Sequence, residues 1–469
     1  MIKDAIIFYV SSKMTPTTLE LLRKYSVAGP RYTSYPTAPY FHTGFGEADW
    51  AEALAASAPD RELSLYAHIP FCDSLCHYCG CNMVATRDYS KTVPYLAMLD
   101  REMARTAQRV DPKRVAHQLH WGGGTPTYLN PDDIRRLMAM MRQYFTVAPD
   151  AEISCEADPR ELTREHLAAL RESGFNRVSF GVQDMDPAVQ QAVNRVQSEE
   201  LIRQVIDWSR ELGFSSINLD LIVGLPKQTV ESFSRTLERV VAWAPDRLAV
   251  FAYAHVPWLK KHQLLIRDAD LPDLAARLGL QQAVNDALGA AGYVNIGLDH
   301  FARPDDELVR AQQNKTLWRN FQGYTTHKDS DILAFGTSSI SQTADVYMQN
   351  EKNLKRYQER VAATGFAVER GIRLTRDDQI RRAAITRVMC DLELDFAAFG
   401  GEWGIAFTDY FADALTDLRP LADDGLVNIE TGKISVTPTG RLFLRNIGMC
   451  FDRYLKETSS DKPRYSRTA

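Results

Sequence analysis

Three cysteines on one short loop constrain this chain more than any other feature of its sequence. Cys72, Cys76 and Cys79 are separated by three and then two residues, and they follow an apolar, strand-like run. Three thiolates can bind three irons of a 4Fe-4S cluster and leave the fourth without a protein ligand, whereas an electron-transfer cluster usually has four cysteine ligands. The spacing therefore predicts a cluster with one iron open to a small molecule.

Two other interpretations of this loop are open. A zinc site usually has two well-separated pairs of cysteines or histidines, whereas His68 and His77 lie in the same short segment as the thiols. Cys81 is able to supply a fourth thiolate and close the cluster as an electron carrier. Because it is only two residues from Cys79, that geometry would be cramped, and we favour the open cluster.

The C-x3-C-x2-C spacing resembles that of the radical S-adenosylmethionine (SAM) enzymes. The resemblance implies that the open iron chelates the amino and carboxylate groups of SAM, and that the reduced cluster breaks a carbon–sulfur bond of this cofactor. The product is a 5′-deoxyadenosyl radical, which removes a hydrogen atom from an unactivated C–H bond. The protein's share of such chemistry is positioning and the exclusion of side reactions.

The composition indicates a globular protein with no general attraction for polyanions. The chain has 469 residues, 45% of them hydrophobic, which suffices for two or three domains. The net charge of −5 does not favour nucleic acid or anionic membranes, so an anionic substrate must meet local cations. The apolar run at residues 5–10 is too short for a signal peptide or membrane span, and the cysteines are clustered. We expect a cytoplasmic protein, a monomer by default.

Strand-like and helical patterns alternate between residues 63 and 258, which favours a parallel sheet. The predicted strands are 63–70, 117–121, 152–155, 177–181, 216–223 and 247–254. The predicted helices are 93–108, 131–144, 164–173, 199–212 and 230–243. We interpret residues 1–60 as an arm with a short helix at 18–25, 259–280 as a linker, and 332–340 as a run returning to the barrel rim.

Polar residues and glycines follow the predicted strands at their carboxyl ends. The second strand leads into glycines 122–124, the third into Glu156 and the fourth into Gln183, while the fifth contains Asp220. These ends open on one face of a β/α barrel, so we expect one site there. Each of these residues, and Arg195, could singly be a structural hydrogen-bonding group; their shared position favours a site.

The region from 370 to 455 has a winged-helix-like pattern. Helices predicted at 377–389, 408–421 and 438–447 flank a hairpin at 425–436. Such a shape invites DNA binding, but the stretch 409–424 carries five aspartates against one arginine, Arg419. Groove binding needs cations, so we predict no nucleic-acid partner.

Several further motifs occur together along the chain. They are GPRYTSYPTA (29–38), YAHIPF (66–71) with the cysteine loop through 82, HWGGGTPT (120–127), SFGVQD (179–184), VNR (193–195), NLDLI (218–222), DHFA (299–302) and NFQGYTT (320–326). With these motifs the chain resembles, over nearly its whole length, the oxygen-independent coproporphyrinogen III oxidases (dehydrogenases) of haem biosynthesis. The resemblance implies an α/β fold: a partial (β/α)6 radical SAM barrel with a rim extension (61–345), a substrate-covering N-terminal arm (1–60) and a mostly helical, winged-helix-like C-terminal domain (346–469).

The resemblance also implies the residues of the site. Cys72, Cys76 and Cys79 would be the metal ligands, with Cys81 nearby but not a ligand. Two SAM molecules are implied, and Arg195 suits a methionyl carboxylate. Asp220 or Gln183 suits ribose hydroxyls or an ammonium group. The residues at the SAM positions of the family are Tyr66, Tyr78, Gly123, Gly124, Thr125, Glu156, Gln183, Arg195, Asp220, Ala254 and Ile340.

The implied reaction is the oxidative decarboxylation of two propionates of coproporphyrinogen III to vinyl groups, which gives protoporphyrinogen IX. Arg31 is the first candidate for a substrate carboxylate, because a guanidinium pairs bidentately with it, and Gln322 is the second. A flavodoxin- or ferredoxin-like protein would reduce the cluster, and an unidentified acceptor would take the last electron.

Two relatives from the same branch are alternatives. A haem chaperone keeps the cysteine triad but delivers haem without decarboxylating anything. Its relatives generally lack the residue equivalent to Cys81 and the arm motif at 31–36, both of which are present here. A radical haem-degrading enzyme would act on haem and have a different arm. The arm and Cys81 therefore favour the oxidase.

Overall fold

The computed structural model describes residues 16–457 and 465–468, so the apolar run at 5–10 lies outside the described residues. The strands are β1 (Leu63–Ile69), β2 (Phe71–Cys72), β3 (Val84–Ala85), β4 (Val115–Gly123), β5 (Thr146–Ala157), β6 (Arg177–Gln183), β7 (Ser216–Val223), β8 (Arg247–Ala252), β9 (Val294–Gly297), β10 (His300–Ala302), β11 (Trp318–Asn320), β12 (Gly323–Thr325), β13 (Asp331–Phe335), β14 (Ile340–Gln342), β15 (Val346–Asn350), β16 (Val368–Arg373), β17 (Glu393–Asp395), β18 (Val427–Ile429) and β19 (Lys433–Val436).

The helices of the described residues follow the same chain order. They are α1 (Pro16–Tyr25), α2 (Glu47–Ala56), α3 (Thr92–Ala107), α4 (Pro131–Tyr144), α5 (Arg164–Glu172), α6 (Pro187–Ala192), α7 (Glu199–Glu211), α8 (Val230–Ala242), α9 (Leu274–Ala290), α10 (Glu307–Gln313), α11 (Leu354–Thr364), α12 (Arg376–Asp391), α13 (Phe396–Trp403), α14 (Phe407–Tyr410), α15 (Ala412–Asp423), α16 (Leu444–Met449) and α17 (Arg453–Glu457). Among them, none has the length and apolarity of a membrane span.

Six parallel strands, β1 and β4 to β8, form the centre of a twelve-stranded sheet. The predicted (β/α)6 barrel is confirmed. The intervening helices start at local signals: Asn130 accepts a hydrogen bond from the Asp133 amide at the start of α4, and Ser198 accepts one from the Leu201 amide at the start of α7. Such side-chain caps satisfy amides that a helix leaves unpaired.

Strand β5 is longer than predicted. It begins at Thr146 instead of residue 152 and pairs with β4 on both sides of a register shift. Pro149 and Asp150 lie in the irregular stretch. Both are residues that strands disfavour, so the prediction missed this part of the strand.

The sheet continues past β1 on the other side of the barrel. Strand β13 pairs with β1 in parallel, and β14, β15 and β16 follow as antiparallel neighbours. The run predicted to return to the barrel rim thus joins the sheet itself. We predicted that the C-terminal domain starts at residue 346. The sheet continues past that point, because β15, all of whose residues are buried, pairs with β16, which ends at Arg373. The C-terminal helices begin with α12.

The predicted linker at 259–280 is wrong in its last third, residues 274–280, which belong to α9. This helix is capped by Asp273, whose side chain accepts from the Ala276 amide at 2.8 Å. It packs on α8 through buried residues that include Leu280 and Val284. Small residues on all its faces give little contrast between an apolar and a polar side, which hid the helical pattern.

The arm and the C-terminal helices share one hydrophobic core, which includes Tyr25, Tyr32 and Tyr35. The Tyr32 hydroxyl donates to Asp452 at 2.9 Å, and Arg445 donates to the Pro30 carbonyl at 3.1 Å. The predicted short helix in the arm is confirmed as α1. The arm is therefore fixed to the C-terminal helices.

The predicted hairpin is confirmed as β18 and β19, which β17 extends to three strands. The helix predicted at 408–421 is two helices, α14 and α15, broken at Phe411, and the one at 438–447 is a 3-10 turn (Gly440–Phe443) followed by α16. Two aspartates of the acidic stretch have partners within the protein: Asp424 pairs with Lys24 and Asp417 with Lys456.

Candidate active site

The cysteine loop begins where β1 ends and lies over the open face of the barrel. Its base is closed by the pairing of β2 with β3. Cys76 is buried, Cys72 and Cys79 are partly exposed, and Cys81 is exposed. Among the described residues, no three histidine, cysteine or acidic side chains are placed to hold a single metal ion. A 4Fe-4S cluster binds each thiolate at a different iron, so its three cysteines lie farther apart than the ligands of a single metal ion.

The glycine run brings the next strand against the base of this loop. The Thr125 amide donates to the Phe71 carbonyl at 3.0 Å. A Cβ on Gly124 would lie 2.7 Å from that carbonyl oxygen, and one on Gly123, whose φ is +121°, would lie 2.8 Å from the His68 ring. A side chain at position 124 would force the base of the loop to move, and one at position 123 would force the His68 ring of β1 to move. Gly124 therefore sets the distance between the loop and β4.

Two guanidinium groups contact the Cys76 thiol. Arg195 donates to it at 3.5 Å and Arg160 at 3.4 Å, while Asp158 pairs with both arginines, at 2.9 and 2.6 Å. Burial raises the pKa of Asp158, but the charges of Arg195 and Arg160 outweigh burial and lower it to about 2. Asp158 is thus ionised and holds both guanidinium groups beside the thiol.

Sequence reasoning predicted Arg195 but missed its two partners. Asp158 and Arg160 stand directly after Glu156, at the same strand end that pointed to that residue. Their position could have identified them, because Asp158 and Arg160 flank Pro159 immediately after the carboxyl end of a buried strand.

Glu156 lies at the centre of a polar network inside the barrel. It accepts from the Gly123 amide at 3.2 Å and lies 3.4 Å from Nε2 of His120. The His120 ring stacks on Tyr66, with 5.8 Å between centroids. Burial raises the pKa of Glu156, but its hydrogen bond to His120 and the charge of that ring bring the pKa below its usual value. Glu156, whose side chain is partly exposed, therefore favours the ionised form.

Asp220 is a second carboxyl group of this network, and its pKa is shifted in the opposite direction. It accepts from Ser179 at 3.0 Å and from Asn218 at 2.7 Å. Burial, and then repulsion by Glu156, raise the pKa of Asp220 to about 7. The site therefore combines a carboxyl group of lowered pKa with one that titrates near neutral pH.

Gln263, from the region predicted as a linker, connects the cysteine loop to the end of β8. Its side chain is fully buried, and its amide nitrogen donates to the Tyr78 carbonyl at 2.9 Å and to the Ala254 carbonyl at 3.2 Å. It thereby joins two residues of the predicted SAM site. No sequence pattern marks this role, because Gln263 is a single glutamine in a stretch without helical or strand periodicity.

The same segment holds the far side of the loop. His262 donates to the Cys79 carbonyl at 2.7 Å, and Lys260 donates to the Cys81 carbonyl at 2.8 Å. A hydrogen bond from the Cys81 side chain lowers the pKa of Cys79 below its usual value, against the opposing effect of burial, and the charges of Lys260 and His262 act in the same direction as the hydrogen bond. The thiolate that these groups favour is the form that binds metal.

The structure gathers the predicted SAM residues on neighbouring strands and the loops that follow them. Gln183 adopts a φ of +65° at the end of β6, beside a register shift that turns the strand. The positions are Tyr66 on β1, Tyr78 on the cysteine loop, Gly123 on β4, Gly124 and Thr125 after it, Glu156 on β5, Gln183 on β6, Arg195 after α6, Asp220 on β7, Ala254 after β8 and Ile340 on β14.

The two candidate substrate contacts differ in their surroundings. Arg31 forms an ion pair with Asp299 at 2.6 Å and donates to the Ala252 carbonyl at 3.1 Å, so its charge is already matched. The side-chain nitrogen of Gln322 is buried and has no hydrogen-bond partner in the described part of the chain. Asp299 was not predicted as the partner of Arg31, although it lies in the DHFA motif (299–302).

Family models match two parts of the chain. The radical SAM superfamily model matches residues 66–240, which contain the cysteine loop and most of the predicted SAM residues. The model of the HemN C-terminal domain matches residues 374–443.

Similarity to individual proteins extends over nearly the whole chain. It is 52% identical to the oxygen-independent coproporphyrinogen III oxidase of Salmonella typhimurium, over 96% of this chain and 98% of that protein. The enzyme of the same name from Escherichia coli K12 is 52% identical over 94% of this chain and 96% of its own length. A solved structure of coproporphyrinogen III oxidase (HemN) from Escherichia coli, described as a radical SAM enzyme, matches with a TM-score of 0.89 and 50% identity, over 93% of this chain and 98% of that one.

Proposed function

The chain belongs to the family of oxygen-independent coproporphyrinogen III oxidases, which are radical SAM enzymes, and from this we propose that it converts two propionates of coproporphyrinogen III to vinyl groups, giving protoporphyrinogen IX. The observation that carries the proposal is that the Cys76 thiol contacts Arg195 at the end of a barrel whose strands also carry Glu156 and Asp220, in a chain that also retains the arm and C-terminal helices of the family.

The residues of the site suit a 4Fe-4S cluster held by Cys72, Cys76 and Cys79, with SAM on the fourth iron. Arg195 retains a buried Nε that has no hydrogen-bond partner among the described residues, although both its terminal nitrogens are engaged. A methionyl carboxylate would satisfy this donor. When bound, the cluster and SAM supply the radical that removes hydrogen from the substrate.

Two SAM molecules are part of this proposal. The residues at the family's SAM positions extend from β14, across β13, β1 and β4 to β7, to the end of β8. At the usual spacing of neighbouring strands, seven intervals cover roughly 33 Å along the curved sheet. That width supports more than one nucleoside ligand. Glu156 and Asp220, which differ in ionisation, lie within it and offer acceptors for ribose hydroxyls or an ammonium group.

The reaction defines what the protein must provide. Each propionate loses carbon dioxide, one hydrogen atom and one electron as the bond between its α and β carbons becomes a double bond. The protein has to hold the β carbon at the barrel mouth and keep water and other donors away. We propose that the arm covers the substrate there, with Gln322 as a hydrogen-bond donor and Arg31 at the rim.

The electrons come from and go to other molecules. We propose a flavodoxin- or ferredoxin-like protein as the donor that reduces the cluster, and a separate acceptor for the electron released from each substrate radical. We also propose that the protein acts as a monomer in the cytoplasm.

Anaerobic turnover tests the function directly. The reconstituted protein is incubated with SAM, a reductant and coproporphyrinogen III, and vinyl products, carbon dioxide and 5′-deoxyadenosine are measured. We expect one 5′-deoxyadenosine for each vinyl group formed. Tight haem binding without release of carbon dioxide would instead indicate a chaperone, and haem breakdown would indicate a degrading enzyme.

A further inference from the structure

An open groove lies between the cysteine loop and the first turns of α3 and α11. Its volume is about 560 Å³. It is lined by Pro70, which precedes the cysteine loop, by Asn82 and Met83, which follow it, and by residues near the starts of the two helices. A molecule seated in the groove would therefore touch both ends of the loop that carries the predicted cluster ligands.

The groove, which we name the lysine groove, is positively charged. Its lining includes Lys91, Lys352 and Lys355, and none of the described lining residues is acidic. Partial burial, and then repulsion by neighbouring cations that include Arg370 and Lys260, lower the pKa of Lys352. This direction indicates an excess of positive charge on this side of the cysteine loop.

The acidic side chains around Lys352 and Lys355 neutralise little of that charge. Glu359 lies 3.9 Å from Lys355, and both side chains are exposed, so this ion pair is weak. Glu351 is buried, and the charges of Glu369 and Glu351 oppose the shift of Lys352 without reversing it. The lysine groove thus suits a negatively charged partner.

An exposed apolar segment lies on the far side of the cysteine loop. Four large side chains within residues 258–265 are more than half exposed: Trp258 at 52%, Leu259 at 64%, Leu264 at 70% and Leu265 at 60%. Gln263 among them is buried and bonded to the loop, which fixes the segment in place. We name residues 258–265 the apolar ridge. Large apolar side chains exposed together typically mark an interaction site.

The lysine groove and the apolar ridge meet at the end of the cysteine loop. Lys260, within the ridge, donates to the Cys81 carbonyl at 2.8 Å, and Asn82, the next residue, donates to the Lys352 carbonyl at 3.1 Å. Cys81 itself is exposed between them. The two features therefore form one surface around the end of this loop, with lysines on one side and apolar side chains on the other.

We propose that this surface docks the electron donor, and that the donor is a protein with an acidic and partly apolar face around a one-electron redox group. The inference rests on the proposed function, which requires one electron on the cluster for each radical formed. The donor gives that electron to the cluster, and no atom is transferred. Electron transfer slows steeply with the distance between redox groups, so the donor has to dock against the cysteine loop.

The two parts of the surface have different roles in this proposal. The lysines attract the acidic face and raise the rate of encounter. The apolar ridge excludes water from the contact and holds the donor beside the loop. Contacts between redox proteins are usually small and short-lived, which agrees with a surface of this size.

Reduction by a protein and by a small molecule tests the proposal. Reduction of the cluster in the anaerobic holoenzyme is followed by stopped-flow absorbance, with a reduced acidic flavodoxin and, separately, with photoreduced deazariboflavin, which is uncharged. We expect Lys352→Glu to slow reduction by flavodoxin about three- to tenfold at low salt, because an attractive charge becomes a repulsive one. Reduction by deazariboflavin and the iron content should stay at wild-type values.

Salt dependence separates the two parts of the surface. The rate with flavodoxin should fall in the wild type as ionic strength rises, because salt screens exposed charges, and Lys352→Glu should depend less on salt. Leu264→Ser should also slow reduction by flavodoxin, but with the salt dependence of the wild type, since it removes apolar area and no charge.

Lys113→Glu and Leu442→Ser are the matched controls. Lys113 is exposed in the loop before β4, at the amino end of the barrel strands, and Leu442, which is 38% exposed, lies in the C-terminal turn Gly440–Phe443. These substitutions make the same chemical changes away from the cysteine loop. Both should leave reduction by flavodoxin unchanged.

The outcomes separate a wrong surface from a wrong function. Wild-type rates with flavodoxin in both Lys352→Glu and Leu264→Ser would overturn the docking surface, while turnover with deazariboflavin stands. Equal slowing with both reductants would also overturn it, because the defect would then lie at the cluster. A wild-type dimer that Leu264→Ser dissociates, detected by light scattering, would assign the ridge to a second copy instead. A wild type that forms no vinyl product with either reductant would overturn the proposed function itself.

Discussion

Arg195 and Cys76 are 119 positions apart in the chain, yet the Arg195 guanidinium donates to the Cys76 sulfur at 3.5 Å. The same side chain donates to the Gly181 carbonyl at 2.7 Å and to Asp158 at 2.9 Å. One buried guanidinium therefore connects the cysteine loop to the ends of β5 and β6. Its remaining Nε is the donor that we assign to SAM.

Replacing Arg195 with glutamine should weaken SAM binding more than cluster binding. We expect the KM for SAM to rise about tenfold or more, because a charged hydrogen bond to the cofactor is lost, while most of the iron is retained. The control is Arg171→Gln, on the outer helix α5, where the side chain donates to the Phe175 carbonyl at 3.4 Å. An unchanged KM for SAM would contradict the role of Arg195.

Substitutions of Cys76 and of Cys81 should have different effects on the iron–sulfur cluster. Cys76→Ser should abolish the visible absorption of the cluster and lower the iron content, because one of three thiolate ligands is lost. Cys81→Ser should keep both, since Cys81 is exposed and lies outside the predicted triad. Iron analysis and spectra of anaerobically reconstituted proteins give the comparison, and loss of the cluster in Cys81→Ser would show a fourth ligand.

Gln263→Leu should loosen the cysteine loop. The substitution leaves the partly buried carbonyls of Tyr78 and Ala254 without this donor, which should cost about 1–3 kcal/mol in the free energy of unfolding. Thermal unfolding and the rate of iron loss to a chelator measure the effect. The control is Gln282→Leu, on α9, whose amide donates to the exposed Asp286 at 2.7 Å. Equal behaviour of the two variants would argue against the link.

Asp220 should make stability depend on pH near neutrality. Its pKa is raised from 3.8 to about 7, so the folded protein holds a proton that the unfolded chain releases between these values. Stability should therefore fall as pH rises from about 4 to 7, by at most about 4 kcal/mol from this group. Denaturation at pH 5 and pH 8 should show Asp220→Asn gaining stability relative to the wild type at the higher pH. A constant difference between the two proteins would contradict the shift.

Much of the fold and part of the site could be predicted from the sequence. The alternation of strands and helices from β1 to β8 is a local pattern, because each element buries one face and ends at its own turn or cap. The three cysteines were predicted from their spacing, and the glycines and Glu156 from their positions at strand ends. The ends of parallel strands meet on one face whatever the details of the loops.

The tertiary structure decided which side chains meet. Asp158 bridges two arginines, Gln263 reaches the cysteine loop from a stretch that looked like a linker, and Asp299 neutralises Arg31. It also left Arg319 buried without an acceptor among the described residues. Element patterns depend on neighbours a few positions away, whereas these contacts join residues from separate loops. Burial increases the energetic effect of these contacts. In surroundings of low polarity a hydrogen bond or ion pair is stronger, and a charged group without a partner is more costly.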